Sequence, residues 1–462
     1  MTIMRNFFIF CSVLLLFVSC QEDNAIAPLE TRATRAIMIY MAAENSLTFS
    51  NETHFLSDDL KEMIEGSKLL DDNQRVFVFV DSLDDAPITD FWYLLDEDQR
   101  EDLLQKTYIE EVQKFFNDME EEKKRMGTPY ILELHGGEAK LMKRFSEDFY
   151  SCDPDKFVDV ISWMTDNVKA DGYGLVLWGH ATGWTVQDDT IPNKVRRAYA
   201  LDNGLKFKSV RKWMNITQME QALKKLPKFD FIFADCCEMV SAEIGFELRD
   251  ATDYLIGSPA EIPGNGAPYD KMLPKFFKNG SDLYRSIIDT YYDYYTQEFD
   301  TLLTIYAWKS HSVPLSVIDT RYMEALAVAT HDILGKFSGG YPNKPEYPSV
   351  TGIAFYEYRY DPVMYDMRAF IKQHTSDADF QQWDKVYQQA VPYYRMSMAW
   401  KTVYDSLIQE FKEFNQDKSV YGCMSMFIPL NLPSYTTTGA KYNLTANNFE
   451  WNRRMDWSRF GW

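Results

Sequence analysis

Cysteine is scarce in this chain: six residues in 462, too few for a disulfide-held scaffold at this length. Histidine is equally scarce at six. In His135-Gly136-Gly137-Glu138 no second ligand stands at zinc spacing, so that segment reads as a turn, and His54, His311, His331 and His374 are scattered through the sequence with no second ligand at metal spacing. Positive charge is short as well. With 48 Lys+Arg against 69 Asp+Glu the formal net charge is −21, which argues against nucleic acid as a partner, because phosphate binding needs clustered basic residues. After the first twenty residues no apolar run is long enough to cross a bilayer. Internal repeats and low-complexity segments are absent. The acid-rich stretch Asp81 to Glu101, with Phe91-Trp92-Tyr93 inside it, lacks a calcium-loop ligand pattern and reads as a surface insertion. What is present is a globular composition, 46% hydrophobic and 25% charged, in a chain long enough to bury a large core.

The N-terminus is a targeting segment. Arg5 precedes Phe7-Phe8-Ile9-Phe10 and Val13-Leu14-Leu15-Leu16-Phe17-Val18, and the apolar run stops at Ser19-Cys20. Cleavage before a Cys resembles the lipobox of bacterial lipoproteins. Residues 1–19 are then a lipoprotein signal and Cys20 the lipidated new terminus. Residues 20–34 are an acidic tether that includes Gln21-Glu22-Asp23-Asn24. The chain is expected to be exported and lipid-anchored to the outer membrane, with the cell surface as a candidate location.

From residue 35 strand and helix patterns alternate. Near-continuous apolar runs at 35–43, 76–80, 130–134, 174–178, 229–233 and 254–257 predict buried strands. Leu56-Leu60-Met63-Ile64, Phe157-Val160-Ile161-Met164-Val168, Ile216-Met219-Leu223 and Val240-Ile244-Leu248 fall at helical spacing between them. This order predicts an α/β fold with a mostly parallel sheet covered by helices on both faces.

His180 follows the strand Gly174–Trp178, and Cys237 follows the strand 229–233 through Ala234-Asp235-Cys236. The carboxyl edge of a parallel sheet is where ligands bind. A thiolate nucleophile and an imidazole that protonates the leaving amine are what covalent acyl transfer needs. Cys237 is also expected at a helix N-terminus, where the dipole favours thiolate. The alternative is a buried structural Cys and a core His.

At these residues the sequence resembles the clostripain family of cysteine peptidases, in the clan of caspases, gingipains and legumain. The histidine motif is Leu177-Trp178-Gly179-His180-Ala181-Thr182-Gly183-Trp184, and the cysteine motif is Asp235-Cys236-Cys237-Glu238-Met239 followed by Glu243. Ser258, Glu261, Pro263-Gly264, Gly266 and Pro268-Tyr269 follow the family's pattern, and Asp202 and Gly422–Pro429 are similar too. The resemblance covers most of residues 35–460. It implies a caspase-like α/β/α sandwich over 35–300 with a C-terminal accessory α+β region over 301–462.

The resemblance also implies roles. Cys237 is the nucleophile and His180 the acid/base, with the N–H groups of Ala181 and Cys237 as oxyanion donors. Asp235, Ser258, Glu261 and Asn265 are expected at the substrate site. Ala181 stands where the family has Gly, and Asn265 where relatives that cut after Arg or Lys can carry an acid. The loop 185–204 holds Lys194, Arg196 and Arg197, candidates for self-cleavage. The expected activity is an endopeptidase, with cutting after basic residues as its candidate preference; its alternative is an inactive surface lipoprotein that binds peptide or glycan. No residue pattern calls for a cofactor, although the resemblance leaves calcium open. The expected partners are a protein or peptide substrate and, through Cys20, a membrane. Cys152 and Cys423 stand too far apart in sequence to be assigned as a bridge.

Overall fold

A computed structural model describes residues 32–48, 54–82, 128–184, 199–203, 211–298, 313–337, 349–357, 364–396, 400, 418–429 and 446–460. The signal, tether residues 20–31, residues 83–101 of the acid-rich stretch Asp81 to Glu101, and Lys194, Arg196 and Arg197 lie outside them. No helix among the described residues is long and apolar enough to cross a membrane.

The frame is a nine-stranded mixed sheet. Its parallel centre is β1 (Arg35–Ala43), β2 (Gln74–Ser82), β5 (Tyr173–Gly179), β8 (Phe229–Asp235) and β9 (Thr252–Gly257). These strands carry the apolar runs of the sequence, and their inner residues are almost wholly buried. Strands covered on both faces need no polar side. The run at 130–134 is a strand too, β3 (Tyr130–His135), but it pairs antiparallel with β2. The Gly136-Gly137 turn returns the chain as β4 (Glu138–Arg144), the edge of the sheet.

At the opposite edge β10 (Leu315–Asp319) pairs antiparallel with β9, and β12 (Tyr393–Arg395) with β10. Residues on both sides of position 300 therefore belong to one sheet. The remaining strands form two small pairs. They are β6 (Tyr199–Asp202) with β7 (Lys212–Met214), and β11 (Met364–Asp366) with β13 (Ser425–Phe427).

Helices cover both faces. On one side α1 (Phe55–Gly66), the short α5 (Tyr269–Met272) and α6 (Gly280–Asp293) pack on Ile37, Ile39, Val176, Phe231 and Phe233. On the other side α2 (Pro154–Asp166), α3 (Ile216–Leu223) and α4 (Ala242–Glu247) pack on Met38, Tyr40, Leu175 and Ile232. The same side continues into the C-terminal helices α7 (Met323–Leu334), α8 (Met367–His374), α9 (Asp377–Ala390) and α10 (Glu450–Met455). Asp153 caps α2 by accepting from the N–H of Asp155 and Lys156, and the Asn215/Gln218 pair closes a capping box on α3.

Candidate active site

β5 and β8 are neighbours, and their register pairs Trp178 with Asp235. His180 and Cys237 each stand two residues beyond that pair, so they leave the sheet side by side at its carboxyl edge. Trp178, His180, Ala181, Asp235, Cys237 and Glu261 line one cavity of about 150 Å³. Both reactive side chains are partly exposed, whereas Cys236 faces the core on the other side of the sheet. Cys152, Cys236 and Cys423 are buried free thiols, so Cys152 and Cys423 form no bridge.

The expectation that a helix begins at Cys237 is corrected by the structure. Helix α4 starts at Ala242 and is capped by Ser241, whose Oγ accepts from Ile244 N–H. Between them Glu238 adopts a left-handed φ of 61° and turns the chain. The thiol therefore has no helix dipole behind it. Burial, then the carboxylates of Glu261 and Glu238, push its pKa well above the usual thiol value, against the Ile262 N–H that donates to Sγ at 3.4 Å. These surroundings favour the protonated form of the Cys237 side chain.

The two loops are locked together. Gly183 has φ +61°, and a Cβ there would come within 2.5 Å of Glu238 O, so only glycine allows this approach. Trp184 is fully buried and packs edge-on against Phe427, 5.3 Å between centroids, and against Phe449 at 6.3 Å. Glu243 is buried under β13 and accepts from Phe427 N–H at 2.9 Å; its pKa is pushed up to about 7 by that burial. Ala181 is buried, bridges antiparallel to Tyr199, and has no positive φ, so the backbone there does not require glycine. The Ser46 hydroxyl lies 3.1 Å from His180 Nε2 and steadies the ring from the β1–α1 turn.

Asp235 is 3% exposed and accepts from Ala267 N–H at 3.0 Å and Tyr269 Oη at 2.8 Å. Burial outweighs those bonds and pushes its pKa up to about 6. A second acid stands beside it. Asp59 of α1 accepts from Trp178 Nε1 at 2.6 Å, and its pKa is raised by burial and by Asp235. Both carboxylates flank Gly266: a Cβ there, at φ +61°, would lie 2.9 Å from Asp235 Oδ2 and 3.0 Å from Asp59 Oδ2.

Of the other expected substrate residues, Glu261 lines the cavity. Ser258 is fully buried, its Oγ accepting from Ala260 N–H, and Asn265 is exposed and outside the lining. Sequence reasoning missed Asp59 and Ser46. Asp59 had a signal: an acid three residues after Leu56 and four before Met63, on the apolar face of its helix. Among the described residues one group could hold a metal ion, the buried carboxylates of Glu44, Asp81 and Asp202.

Known proteins resemble this architecture over most of its length. A secreted C11 cysteine protease from Bacteroides thetaiotaomicron, solved with an irreversible peptide inhibitor, is 25% identical, with a TM-score of 0.65, 92% of this chain covered and 99% of that one. An inactive zymogen C11 protease from Parabacteroides distasonis is 20% identical, with the same TM-score and coverage, and supports the fold. So does a second secreted C11 protease from B. thetaiotaomicron, iotapain, at 16% identity, a TM-score of 0.64, 92% of this chain covered and 100% of that one. No match to the chain is found among curated proteins. The family profile of the clostripain peptidases (Peptidase_C11) spans residues 39–462, so the chain belongs to the clostripain family of cysteine peptidases.

Proposed function

We propose that this peptidase cleaves peptide bonds through a Cys237–His180 dyad and prefers a basic residue on the acyl side of the cut. The supporting observation is the β5/β8 register, which sets His180 beside Cys237 over one cavity that Asp235 also lines.

The chemistry follows from the site. His180 takes the Cys237 proton as substrate enters, and the sulfur attacks the scissile carbonyl carbon. The carbonyl electron pair moves onto oxygen, which the N–H groups of Cys237 and Ala181 receive. Collapse breaks the C–N bond, and His180 returns its proton to the departing amine. A water deprotonated by His180 then hydrolyses the thioester and restores the thiol. Because Ala181 contributes only its N–H and has no positive φ, its methyl is compatible with this role.

Asp235, with Asp59 behind Gly266, supplies negative charge at the cavity. A guanidinium or ammonium entering there would hold both carboxylates ionised. Asn265, uncharged and outside the lining between Gly264 and Gly266, adds no negative charge to that preference. Self-cleavage after Lys194, Arg196 or Arg197, export, and lipid attachment at Cys20 complete the proposal; those residues lie outside the described ones.

The test is labelling of the purified chain with peptidyl electrophiles ending in Arg, Lys, Asp or Leu. Labelling by the Arg and Lys probes, lost in Cys237→Ala, is expected. A folded wild-type protein that none of the probes labels overturns the dyad, and labelling by the Leu or Asp probe alone overturns the basic preference. Wild-type protein that stays one band, identical to Cys237→Ala, overturns self-cleavage. Palmitate incorporation that survives Cys20→Ala overturns the anchor.

A further inference from the structure

The strand order β8–β5–β1 puts three chain exits in a row at the carboxyl edge of the sheet. Cys237 follows β8, His180 follows β5, and the turn 44–48 follows β1. The β1/β5 register pairs Ala42 with Gly179, so the turn emerges beside His180 on the side away from β8. Its third residue, Ser46, is exposed, and its Oγ lies 3.1 Å from His180 Nε2. The two nitrogens of an imidazole are distinct, and the partner of one sets the tautomer of both. With Nε2 turned to Ser46, Nδ1 is the nitrogen left to serve Cys237.

The turn that offers this hydroxyl is held firmly. The fully buried Asn45 donates from Nδ2 to Ala42 O at 2.9 Å and to Leu201 O at 2.8 Å, and its Oδ1 accepts from Leu47 N–H at 2.9 Å. Thr48 N–H donates to Asn45 O at 3.2 Å, and Leu56 N–H to Leu47 O at 3.0 Å, which fastens the turn to the start of α1. The histidine end is fixed as well, because His180 O accepts from Ala200 N–H at 3.0 Å.

We propose that Ser46 is a positioning residue for the dyad: its Oγ accepts from His180 Nε2–H and so assigns the proton transfer to Nδ1. The role rests on the Cys237–His180 reading. In the neutral ring one nitrogen carries hydrogen, and it must be Nε2 if Nδ1 is to take the Sγ proton. That transfer leaves an imidazolium in which both nitrogens donate, so the partner at Nε2 has to accept throughout. A serine hydroxyl can do so while its own hydrogen turns to solvent. The sulfur pair forms the S–C bond; when the C–N bond breaks, Nδ1 returns the proton to the departing nitrogen. Ser46 gives up no atom and touches no substrate. Being neutral, it fixes the tautomer without adding charge to a cavity already lined by Asp235 and Glu261.

One arm of the test needs no activity. In the full chain carrying Cys237→Ala and isotope-labelled histidine, nitrogen NMR should show the His180 ring, assigned by its loss in His180→Asn, as the Nε2–H tautomer. Adding Ser46→Ala should move those signals toward a mixture of the two tautomers. A ring in the Nδ1–H form, or signals that Ser46→Ala leaves in place, overturns the assignment. The other arm uses active protein and a peptide substrate matched to the probe that labels it. Ser46→Ala should lower kcat about 10–100-fold, the worth of a hydrogen bond to a charged group, with KM little changed. Ser46→Thr, which keeps the hydroxyl, should recover most of that loss. An unchanged kcat, or a loss carried by KM, overturns the role. Wild-type protein that no probe labels overturns the dyad itself, an outcome distinct from a labelled enzyme indifferent to Ser46.

Discussion

At the scale of single residues, the site depends on acids kept in unusual states. Asp235 titrates at about 6, above the ordinary aspartate value, because burial outweighs its hydrogen bonds. Below that value it is neutral and cannot pair with a cationic side chain. The specificity constant (kcat/KM) for an Arg or Lys substrate should therefore rise with pH through about 6, and a substrate with an uncharged residue at that position should lack this step. Replacing Asp235 with Asn keeps the shape and removes the charge. A lost charge-assisted bond of about 2–3 kcal/mol corresponds to roughly 30–150-fold in kcat/KM on Arg substrates. An unchanged kcat/KM, measured beside wild type at pH 7.5, would remove Asp235 from the specificity pocket.

Elements carry the next set of consequences. Trp184 joins the histidine loop to β13 and to the segment before α10, through Phe427 and Phe449. Trp184→Ala opens a large cavity where the side chain was fully buried, and it should cost about 3–5 kcal/mol in urea unfolding while lowering kcat. A variant as stable and active as wild type would show that this wall is dispensable. The central strands were legible in the sequence because burial on both faces writes itself as unbroken apolar runs such as Ile37-Met38-Ile39-Tyr40-Met41. The edge strands were not. β4 reads Glu-Ala-Lys-Leu-Met-Lys-Arg, half exposed, and β12 is three residues long. Strand direction has no local signature either, so β3 was read into a parallel series. The candidate pair His180 and Cys237 stood out in the sequence because each follows a strong strand. Asp59 and Ser46 come from the β1–α1 segment, and only register in space brings them to His180 and Asp235.

For the whole molecule, surplus acid sets the pH dependence of stability. Glu62, Asp235 and Glu243 have folded pKa values of about 7, 6 and 7, all raised mainly by burial. A raised acid binds its proton more tightly folded than unfolded, so folding loses stability as pH rises from about 4 towards 7. In EDTA the urea midpoint should be higher at pH 5 than at pH 8. The reverse order would mean that these acids are ionised in the native state with compensating partners. The sheet's two borders are also protected. β4 carries Lys140, Lys143 and Arg144, and β12 is short, which discourages strand addition by other chains.

The supports of the reactive pair arrive late in the chain. His180 and Cys237 lie in its first 240 residues, but Phe427 and Phe449, against which Trp184 rests, and the Phe427 N–H that Glu243 receives come from the last forty. During synthesis the dyad is therefore made long before the wall that shapes it. Proteolytic competence becomes a property of the completed chain, and a protein truncated after residue 420 should carry both reactive side chains and label with neither Arg nor Lys probe. The expected result is an enzyme that stays inactive until its last forty residues have packed against the histidine loop.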